Sequence, residues 1–224
     1  MQTGDRTVWH RAGSMGEAGC FSFFPSKNLG GISDGGLITC NDPDLAERIR
    51  IIRVHGGAPK YHHGVVGGNF RIDPIQTVVL EIKLSRLPEW HLARRRNAVN
   101  YRRLFAQAGL LENGAVSLPV AVYQAEGSTA GDGCDYHIYN QFVIRARDRD
   151  GLLQHLQRNE VGAEIYYPIP LHRQGCLAGL GYEEAFFPEA ERAALETLAL
   201  PIFPELTGEM QSFVVEKIAE FYPR

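Results

Sequence analysis

The chain has 224 residues, 44% of them hydrophobic and 22% charged, which suits one large or two small soluble domains with a real core. A net charge of −3 provides no basic field for nucleic acid or an anionic membrane surface, and no apolar run is long enough to span a bilayer. The four cysteines (Cys20, Cys40, Cys134, Cys176) form no C-x-x-C pair and match no zinc spacing, so a reduced, cytoplasmic setting is expected.

Residues 1–19 are polar and glycine-rich and read as a loop, without the apolar stretch of a signal peptide. Cys20–Phe24 (CFSFF) reads as a short buried strand that Pro25 ends. Four glycines between Lys27 and Gly36 exclude regular structure there, and Leu37–Cys40 is a second short strand. Asp42 starts a helix to about Val54, with Pro43 in its first turn and Leu45, Ile49 and Ile52 at helical spacing. His55–Arg71 is a long glycine-rich loop of the kind that often carries function. Asp73-Pro74 reads as a cap and first-turn proline, and Ile75, Val78, Val79, Ile82 and Leu84 to Leu87 fit one apolar helix face. Pro88 should kink or restart this helix, which continues to about Gln107 with Arg94-Arg95-Arg96 on a solvated side.

Residues 113–136 read as irregular, with GSTAGDGCD a flexible connection. His137–Ala146 alternates as a strand, 148–159 is an amphipathic helix, and 161–167 is a strand stopped by Pro168. Phe187-Pro188 leads a helix to about Leu198, and 200–206 is extended. Gly208–Tyr222 is a closing helix with Phe213, Val214, Ile218 and Phe221 inward. The part after residue 113 is therefore a small α/β unit. The first 60 residues offer too little to close a parallel sheet and suit a larger sheet with further strands.

Lys27 is the residue with the most chemical promise. A lysine in a glycine loop after a buried strand loses hydration, which favours the neutral amine and Schiff-base chemistry. Ser22, five residues earlier, offers a hydroxyl to a phosphate. A plain exposed loop lysine fits the spacing too. Other clusters read blandly. His55, His62 and His63 lack metal-ligand spacing and suit a solvated loop, so no metal site is expected. Glu183-Glu184 and the Glu189/Glu191 pair read as surface charge, and Cys20 and Cys176 as small buried side chains.

The string GCFSFFPSKNLGGISDGG (19–36) resembles the cofactor-lysine segment of the DegT/DnrJ/EryC1/StrS family of sugar aminotransferases. The resemblance continues through HGG…KYHHGVVGGNFRID (55–73), LPEWHLARRRNAVNY (87–101), YYPIPLH (166–172) and LALPIFPEL (198–206). It implies an α/β fold: the end of a pyridoxal-phosphate (PLP) fold type I large domain over 1–86, then a linking helix and small α/β domain over 87–224. It implies that Lys27 bonds PLP as a Schiff base and later moves the proton, that Ser22 contacts the cofactor phosphate, and that Asn69 reaches the phosphate region of a neighbouring subunit's site. Arg71 would face the sugar nucleotide across that dimer contact, and Tyr166, Tyr167 and His172 would wall the substrate.

The expected reaction moves an amino group from an amino acid, glutamate by expectation, to a nucleotide-linked keto-sugar. YHHGVVGGNFRID resembles members acting at a 3-keto position. A lysine at position 27, where the related sugar dehydratases carry histidine, favours amino transfer over dehydration. The family's acid for the pyridine nitrogen falls before Met1 by spacing, and Asp5 is misplaced to substitute. The isolated chain is therefore expected to be truncated, to bind PLP weakly and not to turn over. A non-catalytic remnant or interaction protein of the same fold is the other reading.

Overall fold

The computed structural model describes the backbone of residues 2–3 and 6–7 and, with side chains, residues 10–112, 114–122, 137–182 and 187–222. The chain divides into two compact units, Met1–Leu87 and Pro88–Arg224. Helices and strands mix in both, an α/β composition.

In the first unit, β1 (Gln2–Thr3) and β2 (Arg6–Thr7) pair antiparallel, where the glycine-rich sequence read as a loop. β3 (Ala18–Ser22) and β4 (Gly36–Cys40) form an antiparallel ribbon from Ala18↔Cys40 to Ser22↔Gly36. The first of these starts two residues earlier than the aromatic run suggested. It is not buried: Phe21 and Phe24 stand exposed, and so does Cys20. A two-stranded ribbon has no second layer to hide its faces, so aromatic content alone did not make this strand a core strand. α1 (Pro43–Arg53) follows, its first turn capped by Asp42, whose Oδ1 accepts from Asp44 N at 2.8 Å and Leu45 N at 3.2 Å.

α2 (Pro74–Leu84) starts where expected, with Asp73 as the cap residue and Pro74 in its first turn, but it buries a different face. Asp73 stands at its N-cap without a side-chain bond. The Ile75, Val78 and Ile82 face, read as the core side, points outward, with Ile75 71% exposed. The helix turns a different stripe toward its own unit: Gln76 and Leu80 buried and Lys83 half-buried, at i, i+4, i+7 spacing. α2 stops at Leu84. That residue lies four before Pro88, and the proline ring clashes with the carbonyl at that offset.

α3 (Leu87–Gln107) opens the second unit, whose sheet runs β5-β6-β7, both pairs antiparallel. β5 (Val116–Ser117) lies in the segment read as irregular. β6 (Phe142–Ala146) is shorter than expected, because Tyr139 adopts φ 45° and its ring stacks on His137 instead of extending. Between β6 and β7 come α4 (Arg149–Arg158) and α5 (Pro188–Glu196). The expected strand over 161–167 is only a single bridge, Glu164↔Ala199, while the true third strand, β7 (Thr197–Leu200), precedes the extended run foreseen at 200–206. α6 (Gly208–Phe221) closes the unit.

Phe142, Ile144 and Ala146 alternate inward from β6 and meet Tyr101 and Phe105 of α3, Leu152 and Leu156 of α4, Leu198 of β7 and Ile218 of α6. The Tyr101 and Phe142 rings lie 5.0 Å apart between centroids, tilted by 30°. Val214 and Ile218 of α6 face inward as expected, joined by Val215, whereas Phe213, also expected inward, is exposed. Arg94 and Arg95 are buried, against the expectation of a solvated side, and only Arg96 is exposed. The reason is specific for Arg94: one amino group donates to the carbonyls of Ile202 (2.8 Å), Tyr139 (3.0 Å) and Asn140 (3.3 Å), which no strand or helix satisfies. Cys176 is exposed rather than buried. The GSTAGDGCD connection, Cys134, Asp5 and Glu183-Glu184 lie outside the described residues.

Candidate active site

Lys27 sits in a turn directly beyond β3. Its N–H donates to Phe24 O at 2.9 Å, Gly31 N donates to Phe23 O at 2.8 Å, and Phe23 N to Gly35 O at 2.8 Å, so the turn doubles back on its own entry strand. Gly30 and Gly31 permit this. A Cβ at Gly30 would lie 2.3 Å from Pro25 O, and one at Gly31 would lie 2.9 Å from Gln76 Oε1. α2 braces the far limb: Ile32 N donates to Gln76 Oε1 at 2.9 Å, and Lys83 Nζ to Gly30 O at 2.6 Å. Ser22 is exposed at the end of β3, its Oγ accepting from Phe24 N at 3.3 Å and its own proton left to donate. Lys27 is exposed, so the expectation that burial strips its hydration is not met within this chain.

The 55–71 loop is tied to the last turn of α1. His55 N donates to Gly68 O, Gly68 N to Ile52 O, and Phe70 N to Arg53 O, with Val54 bridging Asn69. Gly56, at φ 69°, passes so close that a Cβ would overlap Val65 O. His63 Nδ1 donates to His55 O at 2.9 Å. The loop is thus ordered by its own backbone, and it presents Asn69 and Arg71 to solvent.

Tyr166, Tyr167 and His172 belong to the second unit. The tyrosines are exposed, in edge-to-face contact at 5.6 Å. His172 differs, its side chain being only 11% exposed. Its Nε2 donates to Glu191 Oε1 at 2.9 Å, Arg173 Nε donates to the same oxygen at 2.9 Å, and the Phe187 ring stands edge-on at 4.7 Å. Those two hydrogen bonds hold the Glu191 carboxyl below its ordinary pKa. Glu191 is therefore more than surface charge: it selects the tautomer of His172 with the proton on Nε2. Sequence reading passed over Gln76 and Lys83 as well. An amide within an otherwise apolar helix run was the available signal, since a buried amide needs partners.

The chemistry of these residues suits a phosphorylated aldehyde cofactor. Among the described side chains, Lys60 Nζ lies over the Tyr61 ring, Lys83 bonds Gly30 and Lys217 bonds Glu220, whereas nothing engages Lys27 Nζ. It is the one unengaged primary amine of the chain's four lysines, with a donor hydroxyl at Ser22 in the same ribbon.

The sequence pattern described as the DegT/DnrJ/EryC1/StrS aminotransferase family matches residues 3–219. A pleiotropic regulatory protein of Geobacillus stearothermophilus is 47% identical over 94% of this chain and 53% of its own length. The dTDP-3-amino-3,4,6-trideoxy-alpha-D-glucose transaminase of Streptomyces venezuelae is 34% identical over 99% of this chain and 54% of its own. The crystal structure of S. venezuelae DesV in complex with a ketimine intermediate superposes with a TM-score of 0.79 at 34% identity, covering 93% of this chain and 53% of that one. The chain spans about half the length of the curated relatives it matches.

Proposed function

This chain belongs to the DegT/DnrJ/EryC1/StrS aminotransferase family, whose cofactor is PLP, and on that premise we propose that it serves amino transfer to a nucleotide-linked keto-sugar. The observation that carries the reading is the unengaged amine of Lys27, held in a braced turn inside a family-matching segment. The bound cofactor supplies an electron sink for the substrate carbon. Lys27 Nζ would hold the cofactor through its aldehyde carbon, with water as the leaving group, and the freed amine would carry the proton at the substrate carbon. Ser22 Oγ donates to the phosphate. Asn69 serves the phosphate region, and Arg71 the sugar nucleotide, of a second copy's site. Tyr166, Tyr167 and His172 wall the sugar, with His172 held by Glu191. The outward Ile75, Val78 and Ile82 of α2 support a homodimer. Glutamate is the proposed amino donor and the cytoplasm the proposed location; no described helix is long and apolar enough to cross a membrane.

The isolated 224-residue chain is proposed to bind PLP weakly and not to turn over, because Lys27 stands exposed in it and it spans about half the length of the relatives it matches. Incubating the chain with excess PLP, reducing with borohydride and mapping adducts tests the assignment. Lys27 should be labelled ahead of Lys60 and Lys217, and even labelling would overturn it. A stable absorbance band at stoichiometric PLP would overturn the weak-binding part. A non-catalytic role is favoured by one observation, the regulatory description of the 47%-identical relative. Lys27→Ala separates the two readings, since it removes the borohydride-fixed adduct at that position and leaves a purely regulatory role intact.

A further inference from the structure

We propose that Gln76 is the positioning residue of the cofactor amine: its side-chain amide holds the far limb of the Lys27 turn. The proposal rests on Lys27 being the PLP residue. No side chain orders the Lys27 head, so its placement is inherited from the backbone of the turn. Apolar packing supplies little of that order, because Phe24 and Ile32, on either limb, are exposed and Phe23 and Leu29 are only half-buried. What remains is polar. The near limb is bonded within the turn itself, through Lys27 N to Phe24 O and Gly31 N to Phe23 O. The far limb is bonded to α2, through Ile32 N to Gln76 Oε1 at 2.9 Å and a longer contact from Gln76 Nε2 to Asp34 O at 3.5 Å.

Gln76 is 4% exposed, so these bonds do not exchange freely with water. Both ends of one planar amide are used, an acceptor toward Ile32 and a donor toward Asp34, clasping the three-residue segment that the flanking glycines at 30, 31, 35 and 36 would otherwise let wander. Gly31 is what admits the amide, since a Cβ there would press on Oε1. Lys83 adds a second brace two residues upstream of Ile32, at Gly30 O. The stripe that α2 turns inward, Gln76-Leu80-Lys83, is thus shaped to hold the turn that bears the amine.

The test uses the full 224-residue chain with Gln76→Leu and Gln76→Glu. Three quantities are read: exchange of the Ile32 amide, the ratio of borohydride-fixed PLP at Lys27 to that at Lys60, and melting of the second unit as a control for folding. Gln76→Leu should speed Ile32 exchange by about tenfold and lower the Lys27-to-Lys60 ratio several-fold, with melting of the second unit unchanged. Gln76→Glu keeps an oxygen for Ile32 N and should retain most of the ratio. Selective labelling in the wild type that Gln76→Leu leaves unaltered would overturn the proposal alone. Even labelling in the wild type would overturn the Lys27 assignment, and this proposal with it. Loss of selectivity in Gln76→Glu with Ile32 still protected would also overturn it, because the bond would then be present without the effect.

Discussion

The two units are held together by different forces. In the second, side chains from three helices and two strands close on one another, with Tyr101, Phe105, Phe142, Ile144, Leu152, Leu156, Leu198 and Ile218 fully buried. In the first, no large apolar side chain among the described residues is fully buried, Leu80 coming nearest at 7% exposure, and order comes from hydrogen bonds within the turn and the 55–71 loop. Burying a Leu or Ile contributes about 1.5–3 kcal/mol, whereas a typical internal hydrogen bond contributes about 1 kcal/mol net. The second unit is accordingly the more tightly packed body, and the first carries the proposed cofactor amine on a scaffold with much apolar surface uncovered.

The sharpest way to break that contrast is a matched pair of truncations. Ile144→Ala should destabilise the second unit by about 2–5 kcal/mol, and Ile82→Ala should change stability by about 0.5 kcal/mol or less; urea titration with amide exchange read in each unit compares them. Equal effects would mean that α2's outward face is covered in solution. Arg94→Met comes next. It strips the donor from three carbonyls and should cost about 2–3 kcal/mol, confined to the second unit. Lys83→Met should cost about 1 kcal/mol, appear only in the first unit, and speed exchange across the Lys27 turn.

The smallest effects are pH-dependent and belong to the second unit. His91 is held below its ordinary pKa by burial and then by Arg95 and Arg94, and His137 by burial and then by Arg102. Their folded forms resist a proton that the unfolded chain accepts. Stability is therefore full above the unfolded histidine pKa and falls as pH drops through it. Thermal melts between pH 7.5 and 5.5, compared with His91→Asn, should show the variant losing less on acidification. Glu191 works in a lower window. Its depressed pKa gives stability that is present above the unfolded carboxylate value and lost as pH falls further, so the melting difference between wild type and Glu191→Gln should shrink there.

Much of this was legible in the residues themselves. Asp42-Pro43 marked a helix start correctly, because a cap is a local device. The segments around Lys27 and at 166–172 stood out through their resemblance to segments of the family that the chain matches. What misled was burial. The apolar face of α2 satisfies helical periodicity perfectly well, yet periodicity says that a face is apolar, not what covers it. Arg94 reversed the usual reading of an arginine run, since its carbonyl partners lie far along the chain and no local pattern reports them. Gln76 and Glu191 escaped for the same reason: each matters through a bond to a distant segment.

The order of the three-stranded sheet also governs how the second unit is made. β6 sits in the centre, yet its partner β7 arrives only after α4 and α5, so Phe142 must wait for Leu200. Closing so long a loop carries an entropic cost before any pairing rewards it, which slows folding relative to a hairpin. On the ribosome, the half-built sheet would hold Phe142 and Ile144 open until Ile218 of α6 has emerged. During synthesis, chaperones would therefore find their binding surface on the unit that is most stable once finished.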